Sequence, residues 1–160
     1  MERIQKILNH PLYQEQFKLL QEAEKERIFC RHTMEHFVDV ARLMYIYTLE
    51  EHTNVNKELI YAAALLHDIG RYEQISLGTP HHISGARMAD EILTSCDFSK
   101  EEVIEIAEAI AGHRNMTSEE DSLLAKYLYR ADKQSRNCFA CPAKKECNWS
   151  DTKKNLTLSY

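Results

Sequence analysis

Six side chains of metal-ligating type, His36, His67, Asp68, His82, His113 and Asp132, are spread over about a hundred residues, each on or beside an apolar stripe of helical period. Groups so far apart in the chain reach one point only if several helices turn their apolar faces inward together, which is the geometry of a bundle. The spacing predicts an all-α chain with a buried metal site.

Composition is consistent with that. A chain of 160 residues with 44% hydrophobic content fits one domain, long enough to bury about 70% of the surface its unfolded form would expose. Only four Gly and three Pro occur, which favours helix over sheet. The net charge of -5 offers no electrostatic footprint for duplex nucleic acid, and no apolar run approaches the roughly 20 residues of a membrane span. Met1-Glu2-Arg3-Ile4-Gln5-Lys6 lacks the apolar core of a signal peptide. A cytoplasmic protein with five reduced cysteines is expected.

Residues 2–26 carry Ile4, Ile7, Leu8, Leu12, Phe17, Leu19 and Leu20 as apolar anchors, and Asn9-His10-Pro11 divides them into two short helices. From Thr33 to about Glu50, His36 shares the inward side with Val40 and Leu43. Lys57 to Ile69 is almost wholly apolar and reads as the central buried helix, capped by Gly70. His67 and Asp68 close it, and a buried charge there needs a partner. Thr79-Pro80 starts a helix to about Leu93, in which His82, Ala86, Ala89 and Leu93 share one face and His81, Gly85, Met88 and Ile92 another. Periodicity does not choose between the two histidines. Ser99 with Glu102 makes a capping box for a helix whose stripe runs to His113. Ser118 with Asp121 resembles a further cap, followed by Leu124, Leu128 and Asp132 at four-residue steps. After Ser135 the pattern stops.

Imidazole nitrogens with carboxylate oxygens suit iron, manganese or zinc, and a carboxylate can bridge two ions. A lone histidine on an apolar stripe is more often a hydrogen-bonded core residue. The ordered set of six is what points to metal.

That order resembles the HD-domain metal-dependent phosphohydrolases, in which a histidine is followed by a His-Asp doublet and a distal aspartate. The matching residues are His36 in Glu35-His36-Phe37-Val38-Asp39, the doublet in Leu65-Leu66-His67-Asp68-Ile69-Gly70-Arg71, and Asp132 in Arg130-Ala131-Asp132-Lys133. Members that hold two metals add two histidines, which map onto His82, in His82-Ile83-Ser84-Gly85-Ala86, and His113. The nearest resemblance is to bacterial HD-domain hydrolases of dinucleoside polyphosphates. It implies a single HD-domain helical bundle over residues 31–135, with residues 1–30 packing on it and residues 136–160 forming a cysteine-rich metal-binding loop and tail. One ion would sit on His36, His67, Asp68 and Asp132, a second on Asp68, His82 and His113. Two iron or two manganese ions are the expected occupants. Metal-bound hydroxide would attack phosphorus, with Asp68 and Arg71 as catalytic residues; Arg71, beside the doublet, is the choice for phosphate ligand and Arg114, next to His113, the second choice. His32, one turn before His36, could support the site, face substrate or lie at the surface.

Cys138, Cys141 and Cys147 form a C-x2-C-x5-C run. Three cysteines in ten residues of a cytosolic chain signal thiolate-bound metal. The spacing is similar to the loop of endonuclease-type DNA glycosylases, so an iron-sulfur centre, a four-iron four-sulfur (4Fe-4S) cluster, is expected, with zinc and then free buried thiols as the alternatives. Cys30 stands six residues before His36 and Cys138 six after Asp132, which makes Cys30 the choice for fourth ligand. Cys96 reads as an ordinary buried residue.

The reading is a cytoplasmic metal-dependent phosphohydrolase acting on a nucleotide or related small-molecule phosphate ester, with no membrane partner. The alternatives are a mixed-valence di-iron oxygenase of the same fold and a non-catalytic nucleotide or redox-sensing module.

Overall fold

The computed structural model describes residues 1–115 and 118–160, and the described residues form helices and loops without strands. The helices are α1 (Glu2–Asn9), α2 (Pro11–Ala23), α3 (Met34–Glu50), α4 (Lys57–Leu66), α5 (Arg71–Leu77), α6 (His81–Ser95), α7 (Lys100–Gly112) and α8 (Leu123–Gln134), followed by a short 3-10 turn, Cys138–Ala140. Among the described residues no helix is long and apolar enough to cross a membrane.

The bundle is built around α4. Its sequence leaves no polar face after the first turn, so it can only be stable with neighbours on all sides. It packs against α1, α3, α6, α7 and α8. Leu59, Ile60, Ala62, Ala63, Ala64, Leu65 and Leu66 are all buried. The three alanines let the surrounding helices approach closely, while Phe37, Met44, Ile106, Ile110 and Leu128 fill the remaining space. Burying a side chain the size of Leu66 contributes about 1.5–3 kcal/mol. The N-terminal helices join the same core through Ile4, Ile7, Tyr13 and Leu20. Arg3 ties α1 down: its guanidinium donates to Glu58 at 2.7 Å and to Glu102 at 2.6 Å and lies over the Phe98 ring.

The caps explain where several elements begin. His10 accepts from the Leu12 amide and precedes a first-turn proline. Thr33 accepts from the His36 amide, and Ser99 with Glu102 forms the reciprocal capping box. Three local expectations are corrected. Helix α6 starts at His81 with Pro80 in the cap position, not at Thr79-Pro80. Helix α8 is capped by Ser122, whose hydroxyl accepts from the Ala125 amide, and not by Ser118. Helix α4 ends at Leu66, and Gly70 has φ -77, so it is no left-handed cap.

Gly70 is needed for a different reason. A methyl group on it would overlap the His81 carbonyl oxygen, the Ser84 hydroxyl and the Gly85 amide nitrogen. The backbone after α4 therefore lies directly on the first turn of α6. Gly85 faces the Leu66 and His67 carbonyl oxygens at ordinary contact distance, 3.6 and 3.5 Å from where its methyl would stand. Gly70→Ala should lower stability to chemical denaturation by about 3 kcal/mol through overpacking. Gly85→Ala should stay within about 1 kcal/mol of wild type, because the added contact and the gain in helix propensity offset each other.

Candidate metal centre

The site lies where helix ends converge. His36 is in the first turn of α3, His67 and Asp68 follow the last residue of α4, His81 opens α6, His113 caps the C-terminus of α7, and Asp132 is in the last turn of α8. Two groups with ligand atoms mutually within 4.8 Å result: His36, His67, Asp68 and Asp132, and Asp68, His81 and His113. Asp68 belongs to both. Its Oδ2 lies 3.1 Å from His67 Nε2, and its Oδ1 lies 3.2 Å from His81 Nε2 and 3.8 Å from His113 Nε2. Asp132 Oδ1 is 3.6 Å from His36 Nε2 and 3.7 Å from His67 Nε2.

Backbone geometry decides which nitrogen of each ring faces inward. The last carbonyls of a helix lack intrahelical donors. His67 Nδ1–H donates to the Ala64 carbonyl at 2.7 Å, and His113 Nδ1–H donates to the Ile110 carbonyl at 2.6 Å. His81 Nδ1–H donates to the Gln74 side-chain oxygen, which also accepts the His81 amide. With Nδ1 donating outward, all three rings turn Nε2 toward the centre, where a ring that has given up its Nε2 proton offers a lone pair to a cation. His67 Nε2 is buried with no hydrogen-bond partner, and the Nε2 atoms of His81 and His113 stand 3.2 Å apart. Lone pairs facing one another and a carboxylate in a buried space call for a cation. The residues fit divalent metal.

The electrostatics agree. Burial opposes ionisation of Asp68, but His32, His67 and Arg71 overcome it and hold the carboxyl well below the usual range. Asp132 is likewise held low against its burial, chiefly by the neighbouring His67 ring. His67 is pushed up to about 9: burial works against the charge and the Asp68 and Asp132 carboxylates prevail. Burial drives His81 down to about 3. Burial and then Arg136 drive His36 well down. Arg136 Nη2 donates to His36 Nε2 at 2.9 Å, so a positive group already stands against this nitrogen, and an ion there would take its place.

The second group contains His81, whereas the sequence reading chose His82. His81 is one helical turn before Gly85, the residue seated against the end of α4, and shares its face; it is 1% exposed. His82 is rotated away and half-buried, outside both groups. Helix α5, which the sequence reading missed, supplies Gln74 to orient His81. Its signal was Gly78 at φ 77, a left-handed C-cap for a seven-residue helix.

Glu24 was also missed. It is buried at the end of α2, where it accepts the His32 amide at 2.8 Å and His32 Nδ1–H at 2.7 Å. His32 Nε2 in turn lies 3.3 Å from Asp68 Oδ2. His32 sits in the loop before α3 and supports Asp68 from outside. A carboxylate at a polar helix end gives no sequence signal for this role.

Arg71 Nε donates to Asp68 Oδ1 at 2.9 Å. Arg71, Arg114 and Lys133 line a cavity of about 500 Å³ that opens onto His81, His113 and Asp132. Cys30, Cys138, Cys141 and Cys147 line an adjoining cavity. Burial pushes the Cys30 thiol up against the pull of Arg136, and the other three thiols add to the shift. Cys96 is buried at the end of α6, away from them.

The HD domain family model matches residues 33–137, which span every residue of both groups. The chain belongs to the HD domain family. It is 44% identical over 160 residues, the whole of both chains, to a protein of Clostridium beijerinckii (strain ATCC 51743 / NCIMB 8052) described only as uncharacterized. It is similar to a predicted HD superfamily hydrolase from an uncultured Thermotogales bacterium, whose crystal structure gives a TM-score of 0.64 at 28% identity over 89% of this chain and 81% of that one. Membership brings with it a hydrolase-type fold whose His/Asp cluster can hold metals.

Two measurements test the centre. His81→Ala should lower the manganese content of reloaded protein by about half, while His82→Ala leaves it near wild type. Because His67 in the metal-free protein keeps its proton up to about pH 9, metal binding at pH 7 should expel it. Calorimetry in buffers of different ionisation enthalpy should show about one proton released per chain at pH 7, falling toward zero above about pH 10.

Proposed function

We propose that the chain is a metal-dependent phosphohydrolase acting on a nucleotide or related phosphate ester, with two divalent ions, iron or manganese. One would be held by His36, His67, Asp68 and Asp132, the other by Asp68, His81 and His113. The observation that carries this reading is the division of Asp68, whose two oxygens face different ligand groups, as a bridging carboxylate requires. Such ions supply charge to polarise a phosphoryl oxygen and to acidify water.

The chain's own residues support the substrate class. Arg71 fixes Asp68 through Nε and has its remaining donors available to phosphate oxygens in the cavity. Arg114, Lys133 and Lys153 add positive charge around the same space, and among the described residues Asp132 is the only acid in the lining. Tyr129 and Trp149 give it flat apolar faces, which suit a base or another ring better than a bare phosphate monoester. The volume of about 500 Å³ is within the range of small-ligand sites. The resemblance to dinucleoside polyphosphate hydrolases points the same way.

A second cofactor belongs to this reading, a 4Fe-4S cluster or zinc on Cys30, Cys138, Cys141 and Cys147. All four thiols line one cavity, and Arg27, Arg136, Lys144 and Lys154 around it would balance a thiolate-bound anion. Among the described residues no three of these sulfurs lie within 4.8 Å of one another. Ordering each residue of the tail costs about 1–2 kcal/mol. Within residues 137–160 only Cys138 and Ala143 are buried, too little apolar burial to offset that without a staple.

Asp68→Ala should reduce phosphodiester and phosphomonoester hydrolysis to background and lower metal content, since two cations would lose their shared counter-charge. Near-normal turnover in a variant with native circular dichroism would overturn the assignment. Arg71→Ala should raise KM about tenfold or more and also lower kcat.

A further inference from the structure

The reacting cavity and the thiol cavity are not separate. Arg71, Arg114, Asp132 and Trp149 line both. The stretch 148–154 lines both: Trp149, Thr152 and Lys153 border the reacting cavity, and Asn148, Trp149 and Lys154 the thiol cavity. This stretch contains no helix and is held at its two ends. At its far end the Asn155 side chain donates to the Lys133 carbonyl at 2.6 Å and to the Arg136 carbonyl at 2.9 Å, closing the C-terminus of α8. At its near end stands Cys147, in the thiol cavity with Cys30, Cys138 and Cys141. Cys30 comes from the loop before α3, which Arg136 also grips by donating to the Arg31 carbonyl at 3.0 Å.

We infer that the group bound by Cys30, Cys138, Cys141 and Cys147 is a structural cofactor of the active site: it clamps residues 148–154 as the outer wall of the reacting cavity, where Lys153 meets substrate phosphate and Trp149 its ring. The inference rests on the thiolate site proposed above and assigns that site a task. A four-coordinate thiolate group joins Cys147 to the loop before α3 and to the end of α8 at once, so its loss frees one end of the wall and leaves the other tied by Asn155. The histidine and aspartate ligands stand on helices with their own core and do not depend on it. Loss of the thiolate-bound group is therefore read as weakened ligand binding with the HD metals still in place.

Trp149 is the only tryptophan in the chain, so its fluorescence reports the wall directly. The full-length protein is loaded with manganese and reconstituted anaerobically with ferrous iron and sulfide, or in parallel with zinc; inorganic phosphate is the probe, titrated by calorimetry. Cys141→Ser is expected to lose the loop group and keep its manganese, with Trp149 emission red-shifted, acrylamide quenching raised and phosphate binding weakened about tenfold. Lys153→Ala is expected to keep both metal sites and native circular dichroism while phosphate binding weakens severalfold, which separates wall contact from misfolding. If Cys141→Ser sheds the group yet matches wild type in emission, quenching and phosphate affinity, the wall assignment is wrong and the thiolate site stands. Unchanged phosphate affinity in Lys153→Ala likewise overturns it. If wild-type protein takes up neither iron-sulfur nor zinc at the loop, the thiolate site fails and this inference with it.

Discussion

Everything near the centre answers to one buried carboxylate. Asp68 is 1% exposed, and an uncompensated charge in that position would cost several kcal/mol. The structure surrounds it with His32, His67, His81, His113 and Arg71. These come from four different stretches of chain. His32, His67 and Arg71 offset its charge, while His81 and His113 face it with ring nitrogens that leave room for a cation, so the end of α4, the start of α6, the end of α7 and the loop before α3 meet around one anion.

Helix ends suit this task because they offer unpaired backbone groups. The Ala64 and Ile110 carbonyls lie in the last turns of α4 and α7, where intrahelical donors run out, and Ile110 takes only a long 3.4 Å bond from the His113 amide. By accepting the Nδ1 protons of His67 and His113 they satisfy themselves and set the tautomer that turns Nε2 inward. Where no carbonyl is in reach, at the N-terminal start of α6, the Gln74 side chain does the same for His81. Fold and site chemistry are thereby one set of hydrogen bonds, and the close approach of Gly70 to α6 keeps the parts in register.

The C-terminal stretch follows a different logic. It has almost no apolar burial, but it closes the cavity over the convergent helix ends and brings Lys153 and Trp149 to a space otherwise walled by Arg71, Arg114 and Lys133. Arg136 stands at the junction, touching His36 on one side and the loop that carries Cys30 on the other. The bundle core and the C-terminal loop together bound the cavity.

The sequence by itself determined the helical bundle, the central position of the Lys57 to Ile69 run, and the gathering of His36, His67, Asp68, His113 and Asp132. Apolar periodicity and an ordered ligand series are properties of a linear pattern, and burial follows from them. It did not decide between His81 and His82, because both lie on faces of one helix that carry apolar residues, and only the seating of Gly85 against the end of α4 selects one. Nor did it reveal Glu24 or Gln74. Each acts through a contact with a residue seven or eight positions away across a turn, and such partners are chosen by the path of the chain in space. The same holds for Trp149 and Lys153, which only the return of the tail across α8 brings to the cavity beside His81, His113 and Asp132.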